Sequence, residues 1–214
     1  ALMTTLPADQ TRFVSIDAVN HVIEASTTVA ASPYSLLLAR ETVRLVAEHL
    51  PRALKDPTDL EARYYLLYAS MIAGVAFDNG LLHLTHALEH PLSGVKPDLP
   101  HGLGLAMIVP AVVKNVYPAK PHALAEVLSP IAPGLKGDPS EAMTAARALE
   151  DWLFSVGVTS KLSQEGFGEE HIRKLVNLAK ETPSLDTLLA LSPVKATDQV
   201  IEDIYRASLK PLPR

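Results

Sequence analysis

Residues 80–110 read GLLHLTHALEHPLSGVKPDLPHGLGLAMIVP and hold four of the chain's eight histidines: His83, His86, His90 and His101. The first three stand three and four residues apart in an apolar segment whose period is helical. In one continuous helix such spacings put all three imidazoles on one face, with neighbouring Cβ atoms about 5–6 Å apart. Pro91, Ser93, Gly94, Pro97 and Pro100 then end the helix and turn the chain, and Pro100-His101-Gly102 opens a second apolar run. A histidine at the mouth of a second helix, returned toward the first by a rigid loop, points to ligands converging on one metal ion. The competing reading is a set of partly exposed helix histidines.

Outward from this stretch nearly every periodic segment repeats as a helix. The sequence predicts helices from Pro7-Ala8-Asp9 to about Val29, from Ser32-Pro33 to about His49, and from Asp56-Pro57-Thr58-Asp59 to about Phe77. Beyond the histidine-rich segment, further helices are predicted at about 101–115 with Pro110 as a kink, 121–129, 139–156, 168–180, 185–191 and 197–208. No strand alternation and no repeat is present. Most of the 17 prolines fall between the predicted helices. The expected fold is one all-α helical bundle over 1–214, with metal-site helices in 1–118 and a helical sub-bundle in 119–214.

Composition narrows the chemistry. A length of 214 residues with 48% hydrophobic residues is enough to build a core. The net charge of −5, with both signs interspersed, argues against a nucleic-acid surface. With no cysteine, disulfides, thiolate zinc sites and cysteine nucleophiles are excluded, and the cytoplasm is the expected compartment. The longest apolar run, Leu103 to Val113, is 11 residues and contains Pro110, so no membrane span is expected. The start, ALMTTLPADQ, lacks a signal peptide's basic and apolar regions and reads as a cut through a longer polypeptide.

Asp17 and His21 add a second pair at i, i+4 in VSIDAVNHVIEAS, so a carboxylate and an imidazole share a helix face. Taken alone, Asp17 reads first as a helix-face charge paired with Arg12 or with a lysine elsewhere. An Asp–His pair on one helix with histidines on two others would supply a metal site, and a His/Asp set without thiolate suits Zn²⁺ or Fe²⁺. No His-Glu-x-x-His, no His-Asp pair, no G-x-G-x-x-G and no G-x-x-x-x-G-K-[ST] occurs. Zincin proteolysis, His-Asp phosphohydrolysis and a phosphate cradle within this chain are therefore set aside. Glu24, Glu89 and Asp78 are read as solvated charges, and His49, His122 and His171 as surface residues.

Three blocks then carry a resemblance. Asp17-Ala18-Val19-Asn20-His21 followed by Val22-Ile23-Glu24 resembles a D-A-x-x-H-x-x-E motif. Ala73-Gly74-Val75-Ala76-Phe77 with His86-Ala87-Leu88-Glu89-His90-Pro91-Leu92 resembles A-G-x-A-F…H-A-x-x-H-P-L. Pro100-His101-Gly102 through Ile108-Val109-Pro110 resembles P-H-G…LLP. In order and separation, over about Leu6 to Asn115, they are similar to the C-terminal helical domain of iron-containing (group III) alcohol dehydrogenases, of the dehydroquinate-synthase-like fold.

The resemblance implies one divalent ion, Fe²⁺ or Zn²⁺, held by Asp17, His21, His86 and His101. Spacing alone would also allow His86 and His90 to chelate as a pair; the resemblance instead implies that His90 positions substrate or nicotinamide, or relays a proton. His83 stands where relatives often have glycine and has no role beyond packing. The implied activity is hydride transfer between a small alcohol or aldehyde and NAD or NADP. The nucleotide would be bound mainly by an N-terminal α/β domain that is absent here, leaving the isolated fragment inactive. A homodimer is compatible with this reading; nucleic acid and membrane are not expected partners. The alternatives are a maleylacetate, lactaldehyde or polyol reductase, or a helical scaffold with a vestigial site.

Overall fold

Helix starts follow the capping side chains. In the computed structural model, which describes residues 3–214, ten α-helices run in the order α1 (Ala8–Ala25), α2 (Pro33–Lys55), α3 (Leu60–Gly80), α4 (Leu84–Val95), α5 (His101–Val116), α6 (Pro121–Leu128), α7 (Ala142–Ser155), α8 (Glu169–Glu181), α9 (Leu185–Leu191) and α10 (Asp198–Ser208). Ala1 and Leu2 of the N-terminal stretch lie outside the described residues. No strand occurs among the described residues, as the all-α reading expects.

Ser32 and Ser35 cap α2 reciprocally with Pro33 at its first position, and Asp59 accepts the Ala62 N–H at 2.9 Å to start α3. At the end of α1, Thr27 Oγ1 donates to the Ile23 carbonyl at 2.6 Å, and Thr28 Oγ1 donates to the Gly80 carbonyl at 2.5 Å. The first takes up a carbonyl of the last turn of α1 and the second ties residue 28 to the end of α3 instead of to another turn, so α1 stops short of the expected Val29.

α5 is the central element, packing against α1, α4, α7 and α10. Its residues from Gly104 to Val113 are all buried. By length and composition His101–Ala119 could cross a membrane, yet 72% of its most apolar window lies inside the fold. That is how a core helix hides its apolar surface. Gly102 lets the first turn of α5 lie directly on α1, because a Cβ there would stand 2.3 Å from the Phe13 carbonyl oxygen. One continuous core runs from Ile16 on α1 to Tyr205 on α10.

The expected helix through residues 80–91 is corrected in two ways. The chain breaks at Leu81, whose φ of 65° lies in the left-handed region, and α3 and α4 meet at a 108° bend. Gly80 lets the end of α3 lie against the end of α1, since a Cβ there would sit 2.3 Å from the Ala25 carbonyl oxygen. His83 is thus the residue before α4, with φ −146° and ψ −117°, and does not share a helix face with His86. Pro91, read as a stop, lies inside α4, which continues to Val95. A proline removes one helical hydrogen bond; here full burial of Leu88 and Leu92 on either side offsets that loss. Likewise α2 runs past His49 through Pro51 to Lys55.

Candidate metal centre

Three helices deliver the polar groups. α1 supplies Asp17, His21 and Glu24, α4 supplies His86, Glu89 and His90, and the first residue of α5 is His101. Asp17 Oδ1 lies 3.3 Å from Nε2 of His21, 3.3 Å from Nε2 of His86 and 4.0 Å from Nε2 of His101. One carboxylate oxygen therefore faces three imidazole nitrogens. Ligand atoms of Asp17, His86 and His101 all fall within 4.8 Å of one another. His21 lies outside that mutual limit but stacks on His86 at 4.9 Å between ring centroids and on Phe77 at 5.3 Å. The sequence-predicted four thus gather in one place, with His21 the loosest. Arg12, the alternative partner for Asp17, pairs with Asp9 at 2.6 Å.

Behind the histidines stand two carboxylates read from sequence as solvated, and that reading is corrected. Glu24 and Glu89 are both 0% exposed. His86 Nδ1 donates to Glu24 Oε2 at 2.5 Å, and His101 Nδ1 donates to Glu89 Oε2. Glu24 also accepts the Thr85 N–H at 2.5 Å and the His86 N–H at 3.3 Å. Those amides are orphan donors of the first turn of α4, which has no side-chain cap of its own, so a carboxylate from α1 caps it in trans. Ser93 Oγ donates to Glu89 Oε1 at 2.6 Å. A legible signal existed: Glu24 follows Asp17 by seven residues and Glu89 follows His86 by three, spacings that keep each acid on its histidine's or aspartate's helix face.

The remaining residues sort cleanly. His90 is exposed, its ring 5.8 Å from that of His101, and Glu89, His90 and His101 form a second group of ligand atoms within 4.8 Å. His83 is 0% exposed; its Nε2 lies 2.9 Å from Thr27 Oγ1 and its Nδ1 3.4 Å from Glu24 Oε1, so it stands behind Glu24 rather than facing Asp17. Asp78 and His122 are exposed and His171 half-buried. His49 is a correction: because α2 continues past it, its ring is buried and stacks on Tyr65 of α3 at 4.5 Å.

Burial pushes the Asp17 carboxyl upward, but the hydrogen bond with His86 and the nearby histidine charges hold it below its ordinary value. Burial likewise opposes ionisation of Glu24, yet His83 and His86 with the backbone donor bring it down to about 2. For His86, burial disfavours the cation while Glu24 and Asp17 favour it, and the result rises to about 9. His21 is lowered, chiefly by burial. Beside the cluster a cavity of about 220 Å³ opens onto Asp17, His101, Phe13 and Val14. A second, of about 160 Å³, is lined by His90, Pro91, Leu178 and Leu185.

Residues 12–209 match the C-terminal domain of the Fe-containing alcohol dehydrogenases. The chain belongs to that family. It is 62% identical over 208 residues to the long-chain primary alcohol dehydrogenase AdhA of Thermoanaerobacter ethanolicus, covering 97% of this chain and 52% of that protein. It is 33% identical to the NAD-dependent methanol dehydrogenase of Bacillus methanolicus, covering 97% of this chain and 54% of the relative. Among solved structures, a 1,3-propanediol oxidoreductase superposes with a TM-score of 0.87 at 30% identity, over 97% of this chain and 53% of that one. The chain spans about half the length of the curated relatives it matches.

Proposed function

We propose that this chain is the metal- and substrate-binding half of an NAD(P)-dependent alcohol dehydrogenase. In that reading Asp17, His21, His86 and His101 hold one divalent ion. The observation that carries it is a charge imbalance. Asp17, Glu24 and Glu89 are three carboxylates within one cluster, and among the described residues their ion-pair partners are all histidines. Burying carboxylates without lysine or arginine is costly unless something else supplies positive charge. One oxygen and three imidazole nitrogens also make a donor set suited to Fe²⁺ or Zn²⁺ rather than Mg²⁺ or Ca²⁺. What the ion supplies when bound is Lewis acidity toward an alcohol hydroxyl or a carbonyl oxygen.

The chain's own residues do the rest. Partial exposure of Asp17 and His101 leaves the cluster open toward the 220 Å³ cavity, where the reacting end of a small alcohol can enter. Phe77, stacked on His21, supports that ring, and Phe13 and Val14 supply the cavity's apolar wall. His90, exposed beside His101, orients the substrate and accepts or returns a proton at an imidazole nitrogen. Binding of NAD or NADP falls mainly to an N-terminal domain of the longer polypeptide, as the half-length match to relatives supports.

The test is activity of the full-length polypeptide. Alcohol-dependent reduction of NAD⁺ or NADP⁺ should appear with Fe²⁺ or Zn²⁺, fall on chelation and return when the ion is restored, whereas the 214-residue chain alone should turn nothing over. A full-length protein that holds the ion yet oxidises no primary alcohol or diol and reduces no aldehyde would contradict the reading.

A further inference from the structure

We propose that Glu24 and Glu89 are positioning residues that set which nitrogen His86 and His101 present to the ion. The proposal rests on the reading of Asp17, His86 and His101 as ligands. Each histidine is held at Nδ1 by a different buried carboxylate. A carboxylate only accepts, so the Nδ1 it meets must carry the proton. For a neutral imidazole that leaves Nε2 as the bare nitrogen, and in both residues Nε2 is the atom turned to Asp17. Two carboxylates from two helices thus solve the same tautomer problem for two ligands.

Both glutamates are themselves fixed, which separates a positioning role from chance contact. Glu24 is locked by two amides at the start of α4. It therefore ties the angle between α1 and α4 to the direction of the His86 ring. Glu89 is held by Ser93 and sits over Gly104 of α5, where a Cβ would stand 2.6 Å from Glu89 Oε1 and 2.8 Å from its Cγ. Gly104 is thus the space the carboxylate occupies, one turn below the His101 it grips. His21 is different. No residue among those described hydrogen-bonds its second nitrogen, and apart from the Nε2 contact with Asp17 its ring is oriented by stacking between Phe77 and His86. Carboxylates hydrogen-bonded to ligand histidines fix the ring and raise its basicity, and their loss costs about 10–100-fold in metal affinity.

The experiment measures Zn²⁺ affinity of the purified chain by chelator competition, with ¹⁵N-imidazole NMR of the zinc-loaded form as a second readout. Glu24→Gln and Glu89→Gln keep size and acceptor oxygens but remove the charge, and helical circular dichroism checks that each remains folded. The expected result is a loss of about 10–100-fold in affinity for each. In the wild type, His86 and His101 should both show a protonated Nδ1 and a zinc-shifted Nε2. Gly104→Ala, which alters neither a histidine nor an acid, should weaken zinc in the same direction by displacing Glu89. Should Asp17→Ala and His86→Ala abolish binding while both glutamine variants bind within about twofold of wild type, the positioning role falls and the metal site stands. Should the wild type take up no zinc, both fall. Zinc on Nδ1 of either histidine would overturn the proposal directly.

Discussion

This molecule buries glutamates in two places and treats them oppositely. In the second half, Glu150 is 1% exposed and Lys161 is 3% exposed; their side chains meet at 2.5 Å, and the Leu212 N–H donates to Glu150 at 3.0 Å. There the negative charge is closed within the chain and serves to hold the C-terminal segment against α7. In the first half, Glu24 and Glu89 are equally buried, but their only ion-pair partners among the described residues are histidines, the remaining donors being backbone amides and the Ser93 hydroxyl, and the Asp17 carboxylate lies beyond the imidazoles. One pair is complete as folded. The other, in the reading proposed above, is completed by a cation. Burial alone therefore does not mark a functional carboxylate; the identity of its partners does.

The largest expected effect lies on the closed side. Glu150→Ala leaves Lys161 buried and unpaired, and should cost about 3–5 kcal/mol of stability in urea unfolding. The double replacement Glu150→Leu with Lys161→Met should recover most of it, because removing both charges removes the desolvation cost. If the single variant unfolds like the wild type, the contrast between the two regions fails.

Next comes the contact that brings α5 to the site. Gly102→Ala forces a methyl against the Phe13 backbone, and should lower stability by about 1–3 kcal/mol while also loosening His101. Thermal unfolding with and without Zn²⁺ would show both losses. A smaller and purely local effect is expected at His21. Lacking a carboxylate behind it, His21→Ala should weaken zinc binding less than His86→Ala does, by about tenfold in competition titrations. Equal losses would mean that the glutamates contribute little.

The smallest concerns the junction between the halves. Tyr117 is buried and donates to Glu141 at 3.0 Å, and burial with that carboxylate pushes its pKa up to about 12. Its folded pKa exceeds the ordinary value of 10.0, so its contribution to stability is complete below pH 10 and is lost as pH rises through about 12. Tyr117→Phe should flatten the alkaline limb of the stability curve; an unchanged slope would show that Tyr117 is not the group responsible.

How far the sequence led follows from the same physics. Helix identity was readable because capping residues such as Ser32 and Asp59 and the apolar periods are local signals. Asp17 and His21 were readable as a pair because both lie on one helix. The misreadings arose where distant backbone decided the outcome. His83 left the helix where α3 ends against α1, at a Gly80–Ala25 approach between residues 55 positions apart that no spacing announces. Pro91 did not end α4, since the burial of its neighbours outweighed a missing hydrogen bond. Glu24 and Glu89 looked like surface charges because an isolated acid in a helix usually is one; only the approach of α1, α4 and α5 encloses them.

The most direct test is anomalous diffraction from crystals of the chain loaded with zinc. A single peak is expected, with the Asp17 carboxylate and Nε2 of His21, His86 and His101 at about 2.0–2.2 Å. A peak held by His83 or His90 in place of His86, or no peak beside Asp17 in crystals grown with excess zinc, would contradict it.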